Sequence, residues 1–177
     1  MKTLDNIKLI PQEILLEIAN SDNENSMRLQ KLLIVDDNNL DLTVLNDFVS
    51  LTNNELLQSE YISLTPVLDD NITNIHRNNF LLINIDEIDF SNWEDNTDVT
   101  GCFFIGTDRE HAIINHKDSR LLEMIDCLVK IFDNRKLSTA GSISMQYASF
   151  VSYSTYKFGY KIVFKIKDQS NIRKAEI

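Results

Sequence analysis

Three short apolar runs in this 177-residue chain end in residues capable of ionic chemistry. Leu32-Leu33-Ile34-Val35 runs into Asp36-Asp37, Phe80-Leu81-Leu82-Ile83 into Asn84, and Ala112-Ile113-Ile114-Asn115-His116 into Lys117. Paired carboxylates can hold a hard cation, since Mg²⁺ binds through one or two carboxylates plus waters. A lysine beside them can pair with the acid and hold two strands in register. Each run is short and bounded by turn residues, which reads as a strand buried on both faces. Side chains at the carboxyl ends of such strands stand where open α/β sheets bind ligands. An acid pair, an amide and a lysine are therefore expected at one sheet edge.

The order and local sequences resemble the receiver domain of two-component response regulators. LLIVDDNNLDLTVLNDF resembles strand 1 and helix 1 of that family, NFLLINIDEIDF strand 3 and its loop, and INHKDSRLLEMIDCLVKIF strand 5 and helix 5, over residues 30–134. The resemblance implies an α/β fold with a doubly wound, mainly parallel sheet of order 2-1-3-4-5. It also implies Asp36 and Asp37 as the Mg²⁺-holding pair, Asn84 in the place of the phosphorylated aspartate, Gly106 and Thr107 at the switch position, and Lys117 as the lysine that pairs with the phosphoryl group. Asp36, Asp37 and Lys117 match the family pattern and Asn84 departs from it. An amide has no carboxylate oxygen to attack a phosphoryl donor, so no acyl phosphate is expected at Asn84. Asp86, two residues on, is the carboxylate that a different register would bring there.

Only Asp108 to His111 separate the strand 4 candidate, Cys102–Ile105, from the strand 5 candidate. A parallel crossover needs about a dozen residues, so a hairpin or bare loop is expected there. Asp86–Asp98, around Trp93, reads as loop where helix 3 would lie. The expectation is a pseudo-receiver with reduced helices 3 and 4.

The flanking elements are read from periodicity. Pro11–Asn20 predicts a helix with Ile14, Leu15 and Ile18 on one face, broken by Ser21–Asn25. Asn39–Leu51 predicts helix 1, with Leu40, Val44, Leu45, Phe48 and Val49 aligned, and Thr52–Glu55 is a capping box for a short helix through Glu60. Ile62–Leu68, interrupted by Pro66, suits an edge strand. Ser119–Asp133 predicts a helix whose stripe of Leu121, Leu122, Ile125, Leu128, Val129 and Phe132 is assigned to the core. Beyond residue 138 the period changes to two, predicting a hairpin with Gly159 in its turn region. That hairpin is expected to join the sheet, pack on the opening helix, or pair with another copy, because an isolated hairpin is marginal in water. The organisation is thus a helical extension over 1–30, a receiver-like domain over 31–134 and a hairpin extension over 138–177.

Composition bounds the function. Apolar residues make up 43% of the chain, enough for one sizeable core. No apolar run approaches the length of about 18 residues that crosses a membrane, and the start lacks a signal-peptide pattern, so a soluble cytoplasmic protein is expected. Cys102 and Cys127 lack metal or redox spacing and read as buried thiols. Asp108, Glu110, His111, His116 and Asp118 are dense in ligand types, but His111 and His116 differ in strand parity, so no metal is expected there. His76 reads as a solvent-exposed loop residue. No cofactor is expected: Asp36 and Asp37 read as a vestigial Mg²⁺ site, weakened by the missing carboxylate at Asn84.

The net charge is −10; fifteen acidic residues face the single base Arg77 between Leu32 and Asp108, whereas Asn134–Ile177 carries eight Lys and Arg against two acids. An acidic body repels phosphates and argues against nucleic acid as its partner. The lysines interleaved with aromatics in the last strand read as a solvated face that also protects a sheet edge. The expected function is non-enzymatic: a signalling or regulatory protein that works by protein–protein contact, through the strand 4 to helix 5 face (Phe103–Phe132) or the hairpin, with a homodimer also open. Two alternatives are an acidic inhibitor of the immunity type covering a basic toxin, and a phosphorylatable regulator whose basic tail contacts nucleic acid.

Overall fold

The first apolar run is helical. The structure, a computed structural model, describes residues 4–45, 47–64, 76–89, 98–115, 117–138 and 140–167. Pro66, Trp93, His116 and the residues beyond Lys167 lie outside them. Helix α1 (Leu4–Ile18) is followed by α2 (Glu24–Ile34), whose N-cap Asn23 accepts hydrogen bonds from the backbone N–H groups of Asn25 and Ser26. Ser26, Leu29, Gln30 and Leu33 are buried at spacings of three and four, so Leu32–Ile34 is the last turn of a helix. A short apolar run fits a strand or a buried helix equally well on periodicity. Here the preceding turn decides.

With strand 1 gone, the expected helix 1 goes too. The described residues from Asn39 to Leu51 are irregular, anchored by buried Leu40 and Leu42. Asp41 Oδ1 accepts from the Thr43 N–H at 2.8 Å, and Lys31 Nζ donates to the Asp41 and Val44 carbonyls at 2.6 Å. Such side-chain bonds to local backbone compete with a helical ladder. The capping box at Thr52 and Glu55 forms as expected and starts the short α3 (Asn53–Gln58).

The strands are β1 (Ile62–Ser63), β2 (Asn79–Asp89), β3 (Asp98–Asp108), β4 (Ile113–Ile114), β5 (Asp118–Ser119), β6 (Lys136–Leu137), β7 (Gly141–Ser152) and β8 (Lys157–Lys167), with α4 (Arg120–Phe132) between β5 and β6. Six of them form one mixed sheet, ordered β1-β2-β3-β8-β7-β6 and curled into a half-barrel. Only β1–β2 is parallel; the other four pairings in the sheet are antiparallel. The doubly wound, mainly parallel receiver sheet of order 2-1-3-4-5 is therefore not the fold of this chain. The strand 5 candidate contributes only β4, which pairs with β5 in a separate ribbon. The C-terminal hairpin lies inside the sheet, with β8 against β3.

Gly159 is within β8 rather than in the turn. A Cβ there would sit 1.8 Å from the Ile105 carbonyl oxygen, so the close approach of β3 and β8 depends on its absence.

Helices α1, α2 and α4 cover one face of the sheet, burying Leu81, Ile83, Phe103, Ile105, Ile162, Phe164 and Ile166 in a core that runs from Ile7 to Ile166. Phe103 stacks on Phe132 of α4 at 5.3 Å. Each such buried ring removes enough apolar surface to contribute roughly 1.5–3 kcal/mol. On the other face, Phe80 and Leu82 form a small cluster with Phe104 and Tyr153. No helix among the described residues is long and apolar enough to cross a membrane.

Helix α4 matches the helix predicted over Ser119–Asp133 and has Ser119 as its N-cap, but its buried face is centred on Met124, Cys127, Leu128 and Ile131. Leu122 is 57% exposed and Val129 38%, so two of the six residues of the expected core stripe lie on a surface flank, while Ile125 is half-buried against the core.

Candidate functional site

The residues expected to converge are spread through the structure. Asp36 is exposed just beyond α2, and its two carboxylate oxygens accept from the Asn78 and Asn79 side-chain amides, each at 2.8 Å. Asn79 begins β2, and Asn84 lies five residues along it, about 16 Å at the rise of an extended strand. Those positions also point to opposite faces. Thr107 is buried beside Asn79, donating to its Oδ1 at 2.7 Å, and the ring of Phe80 fills the space a Cβ on Gly106 would need. Asp37 Oδ1 accepts from the Asn39 N–H at 2.8 Å. Lys117 is exposed in the turn between β4 and β5, which the Asn115 N–H ties to the Asn38 carbonyl at 2.7 Å. Asp36, Asn84 and Lys117 do not share a crevice. The arrangement does not fit a receiver-type Mg²⁺ centre, and no group of three His, Cys, Asp or Glu among the described residues is placed to hold a metal. His76 is exposed.

Asn84 belongs to a different cluster, on the helix-free face. Its amide and the Cys102 thiol both donate to Asp86 Oδ1, at 2.7 and 3.2 Å, and Lys161 Nζ meets Asp86 Oδ2 at 2.9 Å. Burial alone would raise the Asp86 pKa, but the bonds from Lys161, Cys102 and Asn84 outweigh it and leave it lowered. Both oxygens of this carboxylate are engaged, in a strap that ties β2 to β8 across β3. The Cys102 thiol is pushed up to about 12 by burial first and by Asp86 second, and Cys127 is likewise pushed up to about 12 by burial. Neither is a thiolate at neutral pH, so neither is a ready nucleophile.

Arg120 is the charged residue that the sequence reading passed over. It is fully buried, and its guanidinium donates to the carbonyls of His111 at 2.7 Å, Leu32 at 2.7 Å, Val35 at 2.8 Å and Asp37 at 3.1 Å. These include the open carbonyls at the end of α2, a point where a cation is favoured. Burial lowers its pKa, opposed by Asp36 and Asp37. The acid pair thus works as counter-charge to a structural arginine. Its signal in the sequence was an arginine in the first turn of α4, the end of a helix where cations are disfavoured.

A groove of about 350 Å³ lies between α1 and β6, lined by Glu13, Leu16, Glu17, Lys136, Leu137 and Ser138. Glu17 pairs with Arg135 at 2.8 Å and Glu13 accepts from Ser138, so its polar rim is already engaged.

The outer edge of β7 is the remaining built surface. Strand β6 pairs with only Gly141 and Ser142, the next contacts are the Ile143 N–H to the Arg135 carbonyl at 2.8 Å and the Asn134 N–H to the Ile143 carbonyl at 2.9 Å, and Asp133 Oδ1 takes the Met145 N–H at 3.1 Å. From Gln146 to Ser152 no described residue pairs with that edge. Tyr147 is 62% exposed on one face and Phe150 61% exposed on the other. Phe150 sits in an aromatic group with Phe158 at 6.1 Å and Tyr160 at 5.8 Å. All three are on the core face of the sheet, where Phe158 and Tyr160 are half-buried against the core and Phe150 is left exposed. The Leu122–Ile125–Val129 flank of α4 is turned toward that same side. Arg28 of α2 meets Glu123 at 3.6 Å on the opposite flank, and α4 lies over β3, β8 and β7.

Most telling is what the edge lacks. From Leu137 to Tyr156, twenty residues, there is no Asp, Glu, Lys, Arg, His or Pro, in a chain that is 25% charged. Proteins normally protect edge strands with those residues. The gap in charge is legible in the sequence beside the period-two pattern, as a signal of an unprotected edge.

No protein-family model and no curated protein matches the chain.

Proposed function

We propose that this protein is a non-catalytic docking protein that takes a partner along the outer edge of β7, flanked by the exposed side of α4. The observation that carries the reading is the uncharged stretch from Leu137 to Tyr156 on an edge whose backbone from Gln146 to Ser152 has no strand partner among the described residues. Adding a strand there satisfies the outward N–H and C=O groups, while Tyr147 and Phe150 supply anchors on either face. The reading involves no phosphoryl transfer, since Asn84 is an amide and Asp86 is ion-paired.

A photo-activatable residue placed at Ala148 or Ser149 in living cells tests it. Discrete adducts from these positions, lost when Tyr147 and Phe150 are both replaced by Asp, are expected. Adducts from a control at Asp41 with none from the edge would overturn the reading. That second pattern is what an acidic inhibitor of a basic protein would give, a reading favoured by the net charge of −10 and the acids at Asp36, Asp37 and Asp41 beyond α2.

A further inference from the structure

We propose that the strand docking on β7 is β7 of a second copy of this chain, antiparallel about a two-fold axis at Ser149. This rests on the docking reading above and names its partner. In such a pairing each residue of the free edge meets its mirror position, so Ala148 faces Phe150, Tyr147 faces Val151, Gln146 faces Ser152 and Ser149 faces itself. Each ring is set against a small or β-branched side chain. On the core face Phe150 covers Ala148 of the other copy, and on the helix-free face Tyr147 lies against Val151, the kind of cross-strand pair that stabilises sheets.

Charge points to the same occupant. Two copies of a chain with net charge −10 repel each other at a distance. Any charge near the dyad of an isologous contact faces its own like. The edge available for self-pairing is the segment without charges. A different protein binding an acidic chain gains rate and selectivity from basic groups opposite acidic ones, and this edge offers it no acid. The Leu122–Ile125–Val129 flank lies on the face where Phe150 of each copy projects, so it adds apolar surface beside the strand pair. Strand β6 covers only the first residues of β7 and leaves the paired segment open.

Sedimentation of the whole chain gives the test. The wild type is expected at twice the 20.4 kDa chain mass in the micromolar range. Ser149→Lys and Ser149→Asp should each sediment as monomers with melting curves that show a folded chain. An equimolar mixture of the two should recover the doubled mass, because unlike charges then meet at the dyad; a variant that had simply failed to fold could not be rescued this way. A wild type that stays at the single-chain mass, or variants that dimerise as the wild type does, would overturn the proposal. If the wild type is monomeric while Ala148 and Ser149 still photo-crosslink to another protein, the docking reading stands and the second copy is not the occupant. If those positions give no adduct at all, the docking reading itself fails.

Discussion

Arg120 brings one fork of N–H donors to four carbonyls from two separate segments, Leu32–Asp37 and His111, which is why a point charge on a flexible stem is no substitute. Arg120→Lys is expected to cost about 3 kcal/mol, because buried carbonyls at the end of α2 lose their partners. A fall in the urea midpoint at unchanged slope would show it. At Asp86 the effect is on pH dependence. Its folded pKa is lowered, so its contribution is present above the unfolded carboxylate value of about 4 and fades as pH falls through the folded value. Lys161, raised chiefly by its bond to Asp86, contributes below its unfolded value of about 10.4 and loses that contribution as pH rises through the folded one. The pair is partly exposed, so solvent screening keeps its effect modest. The melting-temperature gap between wild type and Asp86→Asn should therefore narrow as pH drops from about 6 to about 3.

At the scale of the element, local chemistry was legible where caps and turns specify it. The Thr52 and Glu55 capping box, the Ser119–Asp133 helix and the period-two alternation of β8 form as their residues require, whereas a bulge between Met145 and Tyr147 in β7 turns Tyr147 and Val151 to the face opposite Ile143 and Met145. Thr52→Ala should cost about 1 kcal/mol through loss of the cap, measurable by denaturant titration. The apolar runs misled because burial, not period, was their common feature. Leu32–Val35 lacks the length to separate a strand from the end of a helix, and only Ser26, Leu29 and Gln30 upstream disclose the helical spacing. Topology was hidden for a further reason: the pairing of β3 with β8 joins residues far apart in the chain, and its sign is the glycine at 159. Gly159→Ala forces a Cβ against the Ile105 carbonyl and is expected to prevent accumulation of folded protein, seen as insolubility on expression.

For the whole molecule, the acidic body and the uncharged edge divide the surface between repulsion and contact. Self-association through β7 should strengthen as salt rises, since screening weakens repulsion between two chains of net charge −10 while leaving an uncharged strand pair untouched. Binding through the acidic face would weaken instead, so the sign of the salt response separates the two surfaces. The most direct measurement is amide hydrogen exchange along Gln146–Ser152 as a function of protein concentration. Protection of the outward-facing amides that grows with concentration and disappears in Ser149→Lys is the predicted result. Exchange of those amides at the rate of unpaired backbone at every concentration would contradict the account.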